Sequence, residues 1–277
     1  MNYRKKYLKY KTKYLNEVQK YNHDYLYGYV GYPNQKNYAV CLHKVVDGKV
    51  TSMSFFHDVP LWHCPQKGIA HMVVEIPAGT NYKLEINKKD LFNPIKYDIK
   101  NNKIRKVALT YSTNYGALPQ TWENPNVIHP LTQAKGDNDP IDAMDISTLV
   151  GFIGQIKRVK ILGIIGLIDE DETDWKVICI DINDPLSKSL NDIDDVRTYL
   201  PNKLDEIYYF LRDYKIPDGK PPNIFALNGQ YLNKQTAVNI IQETHHEWEK
   251  LISGQEFIDN ISVQNSTITA QPTCSQD

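Results

Sequence analysis

Short runs of β-branched or alternating apolar residues recur between positions 38 and 182, and Pro, Gly, Asn and Asp residues separate them. Alternation with a period of two predicts strands with one buried face. Many short strands joined by turns favour a closed barrel or a sandwich. Gly163 and Gly166 lie within one of these runs and predict a strongly bent strand. The predicted strands are residues 72–76, 82–86, 141–146, 159–168 and 175–182.

Two later segments have apolar residues at helical spacing. The first spans residues 201–213, with Leu204, Ile207 and Leu211 on one face. The second spans residues 234–253 and carries a longer apolar stripe, with Gly254 as a natural stop. The sequence therefore predicts two helices that follow the strands.

The two ends of the chain differ from the middle. Residues 1–27 are rich in Lys and Tyr, and the tyrosines recur at steps of about one or two helical turns. This favours a basic helical arm that packs on the main domain or on a partner, while a targeting peptide or a nucleic-acid arm is an alternative. Residues 255–277 are polar and predict a disordered tail. The main domain is then residues 28–254.

Composition excludes several classes of protein. The net charge is −1, so the chain has no global attraction to nucleic acid or to an anionic membrane. No apolar run approaches the roughly 20 residues that span a bilayer. The cysteines Cys41, Cys64, Cys179 and Cys274 are scattered, which argues against structural zinc and for reduced thiols. We expect a cytoplasmic protein that binds neither nucleic acid nor membrane.

The strongest chemical signal is the segment 136–145, GDNDPIDAMD, with four carboxylates beside a strand-like run. Neighbouring carboxylates repel unless a cation neutralises them, and hard divalent cations prefer oxygen ligands. A calcium loop of EF-hand type does not fit, because Asp142 and Thr148 stand where Gly and Glu are needed. The segment predicts a metal site, and the plain alternative is a solvated acidic turn.

Three weaker signals accompany it. Residues 169–174 form an acidic hairpin turn, after which Asp174 and Lys176 share one strand face. Lys83 and Glu85 also alternate, a pattern that by itself indicates a surface ion pair. Arg and Lys suit phosphate oxygens, and Tyr is a further donor. The candidate donors are Arg105, Tyr111, Tyr115, Tyr214, Lys215 and Lys220.

With these residues the chain resembles a family I soluble inorganic pyrophosphatase of the eukaryotic type. The central match is the family's D-x-D-P-x-D signature at residues 137–142, and the resemblance covers roughly residues 38–254. Several motifs match in the same order along the chain. They are FHDVPL at 56–61, MVVEIP at 72–77, NYG at 114–116, PQTWE at 119–123, DWKV at 174–177 and YKIPDGK at 214–220.

The resemblance implies an α+β fold, mainly β, built on a flattened OB-like closed β-barrel with external C-terminal helices. It implies hydrolysis of pyrophosphate to two orthophosphates by direct attack of a metal-activated water, with several Mg²⁺ ions per site. Asp139 would be the base. The implied metal ligands are Asp137, Asp142, Asp169 and Asp174, with Glu75 and Glu85 as outer ligands. The implied phosphate-binding and catalytic donors are Lys83, Arg105, Tyr111, Tyr115, Lys176, Tyr214 and Lys215.

The chain departs from the family at two places that belong to its usual dimer contact. Ala78-Gly79 replaces an Arg-Trp pair, and the loop between Arg105 and Tyr111 is shorter. We therefore expect a homodimer with an atypical interface. Two other functions stay open: an idle OB-like module that binds nucleic acid or polyphosphate, and a metal-dependent phosphatase for organic phosphates. The acidic character of the barrel region argues against the first, because such modules need a basic groove.

Overall fold

The computed structural model describes residues 25–267 of the 277-residue chain. Most of the predicted N-terminal arm, residues 1–24, lies outside this range. Its last residues differ from the prediction, because Leu26 and Tyr27 belong to a strand that pairs with residues 39–43. Pairing with a neighbouring strand satisfies the backbone there, so tertiary contacts override the local helical spacing.

Strands dominate the described residues, and the mainly β prediction is confirmed. In chain order the strands are β1 (Leu26–Val30), β2 (Ala39–Val46), β3 (Lys49–Met53), β4 (Trp62–Cys64), β5 (Ile69–Ile76), β6 (Leu84–Ile86), β7 (Ile95–Tyr97), β8 (Ile99–Lys100), β9 (Lys103–Ile104), β10 (Asn114–Ala117), β11 (Lys135–Gly136), β12 (Asp142–Asp145), β13 (Ile156–Asp169), β14 (Glu172–Asp181), β15 (Ile224–Phe225) and β16 (Leu232–Asn233).

Five strands close a ring of pairings. β5 pairs with β10, β10 with β12, β12 with β14, β14 with β13, and β13 returns to β5. The pair β12–β14 is parallel and the other four are antiparallel. A separate antiparallel sheet contains β1, β2, β3, β6 and β7. The structure thus has a ring of strands, and the predicted closed barrel stays a prediction.

The hairpin β13–β14 places the acidic segment 169–174 at one end of the ring. Because β14 also pairs in parallel with β12, the acidic segment 137–142 lies at the same end. The strands of this hairpin are the longest of the described residues, and Asp169 pairs with Glu172 across the turn. Glu170 and Asp171 both have positive φ, of 51° and 69°, as a tight two-residue hairpin turn requires. The predicted hairpin is confirmed. The register shift between Ile161 and Gly163 is the irregularity that the glycines predict.

Three α-helices pack outside the strands in residues 25–267: α1 (Ile193–Tyr199), α2 (Lys203–Asp213) and α3 (Lys234–Ile252). Both predicted helices, α2 and α3, are confirmed, whereas α1 has no counterpart among the predictions. Its start is fixed by a capping box between Asp192 and Asp195. None of these helices combines the length and the apolar character needed to cross a membrane.

Residues 255–267, which we call the C-terminal strap, lie against the body of the protein. Ile258 and Ile261 pack on the core cluster that contains Trp248. The amides of Ser266 and Thr267 donate to the Asp58 carboxylate at 2.9 and 2.8 Å. This differs from the disordered tail that the composition predicts, because two isoleucines and a buried acceptor suffice to dock it. Residues 268–277 lie outside the described range.

Candidate active site

A cavity of about 460 Å³ opens at the end of the ring where β12 and β14 begin. Of the fourteen residues that the resemblance singles out, twelve line it, and Glu75 and Glu85 do not. The turn before β12, the β13–β14 hairpin and the segment after α2 supply most of the lining. The twelve are Lys83, Arg105, Tyr111, Tyr115, Asp137, Asp139, Asp142, Asp169, Asp174, Lys176, Tyr214 and Lys215.

Three carboxylates converge beside the cavity, and two of them, Asp137 and Asp174, line it. Glu123, Asp137 and Asp174 each present an oxygen within 4.8 Å of the other two. Gly136 permits this approach, because a Cβ there would lie 2.3 Å from the carbonyl group of Glu123. The amide of Trp175 donates to Glu123 Oε1 at 3.1 Å. Glu123 Oε2 is buried and has no hydrogen-bond partner within residues 25–267.

The electrostatics of this group favour a cation. Burial and the charges of Asp137 and Asp174 raise the pKa of Glu123 well above its ordinary value. Burial and the neighbouring aspartates act in the same direction on the pKa of Asp137. Burial raises the pKa of Asp174 to about 7, although Lys176 opposes the shift. A hard divalent cation held by oxygen ligands would remove this repulsion.

Lys176 is the counter-charge within the pocket. It contacts Asp142 and Asp174 and donates to the phenol oxygen of Tyr115 at 3.1 Å. Tyr115 in turn donates to Asp142. Although burial opposes its charge, the two aspartates raise the pKa of Lys176 well above its ordinary value. The alternation along β14 therefore places Asp174 and Lys176 on one face, as the sequence predicts.

Three further cations of the cavity lining, Lys83, Arg105 and Lys215, are each paired with an acid. Arg105 contacts Asp98 at 2.9 Å, and Lys83 lies 3.0 Å from Glu85 and 3.7 Å from Asp98. Lys215 pairs with Asp169. An anionic ligand of high charge could replace the carboxylates as the ion-pair partner of these cations, because the carboxylates belong to side chains that can rotate away. Asp98, which lines the cavity, is absent from the sequence predictions.

Glu75 and Glu85 lie behind this lining. Glu85 is engaged by Lys83, which agrees with the plain reading of a surface ion pair. Glu75 ends in the core, and its Oε1 accepts a hydrogen bond from the amide of Ile86 at 2.6 Å. Burial and the charge of Asp142 raise the pKa of Glu75 well above its ordinary value. Glu75 thus lies near Asp142, Asp139 and Glu85, and neither glutamate lines the cavity.

The tyrosines form an aromatic wall. The rings of Tyr111 and Tyr115 lie 5.1 Å apart, and Tyr111 also packs 4.8 Å from Phe210 of α2. Tyr214 stacks on Phe210. Burial raises the pKa of each phenol, so all three stay neutral donors at physiological pH.

Glu123 and Lys88 are the clearest omissions from the predicted site. Glu123 ends the motif PQTWE, but no other carboxylate lies near it in the sequence. Lys88 Nζ lies 2.5 Å from Asp139 Oδ1, yet the two residues are far apart along the chain. Only a signal that links distant positions could have found them.

Comparison with known proteins bears on this pocket. The family model described as inorganic pyrophosphatase matches residues 72–249. An inorganic pyrophosphatase of Zygosaccharomyces bailii is 50% identical over 252 residues, which cover 89% of this chain and 86% of that protein.

Solved structures agree with this match. The inorganic pyrophosphatase of Schistosoma japonicum superposes with a TM-score of 0.83 at 44% identity, covering 88% of this chain and 87% of that one. An N-terminally truncated vacuolar soluble pyrophosphatase of Trypanosoma cruzi, in complex with PPi, has a TM-score of 0.79 at 39% identity, covering 82% and 90%.

Proposed function

The chain belongs to the inorganic pyrophosphatase family, and from this premise we propose that its acidic cavity hydrolyses pyrophosphate to two orthophosphates by direct attack of a metal-activated water. One observation carries the proposal: carboxylates and cations together line a single cavity. The carboxylates can hold metal ions, and the cations can bind phosphate oxygens. A small, highly charged anhydride needs both. The Trypanosoma cruzi relative was solved with this compound bound.

The metal in this proposal is Mg²⁺, with several ions per site. The donor set fits a hard cation, because it consists of carboxylate oxygens and includes the buried Oε2 of Glu123, which has no hydrogen-bond partner among residues 25–267. Asp137, Asp142, Asp169 and Asp174 would hold the ions, with Glu75 and Glu85 as outer ligands. When bound, such ions would acidify a water molecule and polarise phosphoryl oxygens.

The side chains of the protein have separate tasks. Asp139 lines the cavity beside Asp137 and would accept the proton of the attacking water. Lys83, Arg105 and Lys215 would exchange their carboxylate partners for phosphate oxygens and stabilise the charge that develops on the leaving phosphate. Lys176 and the neutral phenols of Tyr111, Tyr115 and Tyr214 would orient the substrate by donating hydrogen bonds. These donors are already gathered around the cavity, which reduces the reorganisation needed on binding.

The scaffold and the assembly belong to the same proposal. The ring of five strands supports an OB-like barrel, which has five strands. We further propose a cytoplasmic homodimer with an atypical interface. A Cβ at Gly79 would meet no atom of residues 25–267 within 4 Å, so this position lies on an open surface, and the Arg-Trp pair of the usual dimer contact is missing there. Light scattering of the full chain and of one lacking residues 1–27 tests this, and a monomer at micromolar concentration contradicts it.

A phosphate-release assay in Mg²⁺ tests the reaction. The chain should release phosphate from pyrophosphate at least about a hundredfold faster than from nucleotides or sugar phosphates, since most of the residues that line the cavity are charged and suit a small polyanion. Comparable rates on organic phosphates would make it a general phosphatase. Binding of oligonucleotide without any hydrolysis would favour the idle module instead.

A further inference from the structure

Lys88 reaches Asp139 from outside the cavity. Its Nζ lies 2.5 Å from Asp139 Oδ1 and donates to the carbonyl oxygen of Asn138 at 2.6 Å. Asp139 is part of the cavity lining, whereas Lys88 is not. The ammonium group therefore engages one of the two carboxylate oxygens from behind the residues that line the cavity.

Asp139 needs such a partner because of its position. It stands in a turn, between Asn138 with φ 68° and Pro140, and its side chain is 50% exposed. A half-exposed carboxylate on a turn keeps rotamer freedom that a proton acceptor must give up. An exposed ion pair contributes little by itself. Lys88 differs from that case, since its side chain is only 20% exposed and also holds the backbone of the turn.

The backbone of Lys88 is fixed by two donors. Its carbonyl oxygen accepts from the amide of Ser262 at 2.7 Å and from Asn93 Nδ2 at 3.1 Å. Asn93 is fully buried, and its Nδ2 also donates to the carbonyl oxygen of Ser262 at 3.1 Å. Lys88, which forms the ion pair with Asp139, is thus hydrogen-bonded to the C-terminal strap.

The strap is anchored at two neighbouring residues of the body. His57 Nε2 donates to the carbonyl oxygen of Ser262 at 3.1 Å, while His57 Nδ1 accepts from the indole of Trp248 at 2.9 Å. Asp58 accepts the amides of Ser266 and Thr267. A continuous chain of contacts therefore runs from the buried core through Ser262 and Lys88 to Asp139.

We propose that Lys88 is a positioning residue for the hydrolysis proposed above, on which this inference rests, and that the C-terminal strap holds Lys88 in place. Lys88 keeps the Asp139 carboxylate in one orientation toward the cavity, so that Oδ2 remains available to the attacking water. The strap supplies the amide of Ser262, which donates to the carbonyl oxygen of Lys88 and so fixes the backbone of Lys88 relative to the turn. A segment far from the cavity along the chain thereby takes part in setting the rate.

Steady-state kinetics of Lys88→Met test the first part. Loss of orientation should lower kcat about ten- to a hundredfold, while the KM for magnesium pyrophosphate changes by less than about threefold. Lys88→Arg should recover most of the rate, because it keeps the charge. Lys89→Met removes an exposed lysine next in sequence and should leave kcat unchanged. A Lys88→Met enzyme with wild-type kcat overturns the inference, as does a loss explained entirely by a smaller folded fraction in circular dichroism.

The strap is tested at Ser262. Ser262→Pro removes the amide that donates to Lys88, and should lower kcat about tenfold, while Ser262→Ala keeps the amide and should not. Ser262→Pro combined with Lys88→Met should lose little beyond Lys88→Met alone, because both act through one contact. Fully multiplicative losses overturn the link. A wild-type chain that releases no phosphate from pyrophosphate refutes the proposed function instead, so the two failures are distinguishable.

Discussion

Two buried lysines of this protein each pair with two aspartates, and the two groups have different surroundings. Lys176 contacts Asp142 and Asp174 in the cavity, and Lys157 contacts Asp145 and lies 3.1 Å from Asp181. In both groups β12 supplies one aspartate and β14 the other. Because Asp142 and Asp145 are three residues apart in a strand, they point to opposite faces.

The two groups differ in how their oxygens are used. Asp145 accepts from Asn114 Nδ2 at 2.9 Å and from the amides of Ser147 and Asp181 at 3.0 Å, and its side chain is fully buried. The Lys176 group instead adjoins Asp137 and Glu123, and one oxygen of Glu123 has no partner among the described residues. An ionic group completed by amides has its charges satisfied within the fold, whereas one with open lone pairs beside a cavity fits the metal-binding role proposed above.

The largest expected difference between the groups is their response to metal removal. Excess EDTA should reduce phosphate release to background, and Mg²⁺ should restore it, because only the cavity carboxylates need a cation. Ca²⁺ should restore little, since it prefers looser geometry. Circular dichroism should show an unchanged fold in EDTA. Full hydrolysis in excess EDTA would refute the metal assignment.

Removing the proton acceptor should affect the cavity alone. Asp139→Asn keeps the shape of the side chain but cannot accept a proton, so kcat should fall by about 10²–10⁴ with little change in melting temperature. Asp47→Asn, in the exposed turn between β2 and β3, is the matched control. A variant with near-normal kcat and intact Mg²⁺ affinity by calorimetry would give Asp139 another role.

Removing the lysine of the second group should affect the fold. Lys157→Met leaves Asp145 and Asp181 buried without a counter-charge, so the free energy of unfolding should fall by about 3–5 kcal/mol in urea titrations. Lys188→Met, at an exposed position, should change it by less than about 0.5 kcal/mol. The specific activity of the folded Lys157→Met fraction should stay near normal. An unchanged free energy of unfolding would mean that the hydrogen bonds donated to Asp145 are enough to stabilise the buried carboxylates without Lys157.

The smallest expected effect concerns His57, a buried group that stays uncharged. Burial lowers its pKa to about 4 from an ordinary value of 6.5. Between pH 6.5 and 4 the unfolded chain therefore binds a proton at His57 that the folded chain does not bind. The contribution of His57 to the free energy of unfolding is complete above pH 6.5 and is lost as the pH falls toward 4. The loss is about 3 kcal/mol by linkage.

Unfolding titrations of wild type and His57→Gln between pH 7.5 and 4 check this effect. Gln keeps a donor and an acceptor without the titrating ring, so the difference between the two proteins isolates His57 from the carboxylates that titrate in the same range. Wild type should lose about 3 kcal/mol more than the variant on acidification. Parallel pH profiles would show that His57 is protonated in the folded protein.

Short-range patterns in the sequence determined much of this protein by themselves. The alternation of apolar residues predicted strands at 72–76, 141–146 and 175–182, which overlap β5, β12 and β14, and the helical stripes identified α2 and α3. The run of acids at 137–142 and the alternation of Asp174 and Lys176 indicated a metal and phosphate site. Such patterns succeed because side-chain direction in a strand or helix depends only on neighbouring residues.

Tertiary structure alone decided what meets across the chain. It brought Glu123 to Asp137 through the close approach at Gly136, set Lys88 on Asp139, and docked the strap that composition assigns to disorder. Strand alternation places Asp142 and Asp145 on opposite faces, but tertiary structure decided that one face opens on the cavity and the other is enclosed by amide donors. Strand register and packing between distant segments fix these contacts. The free energy that stabilises register and packing comes from the whole core, so no local run of residues can predict the contacts.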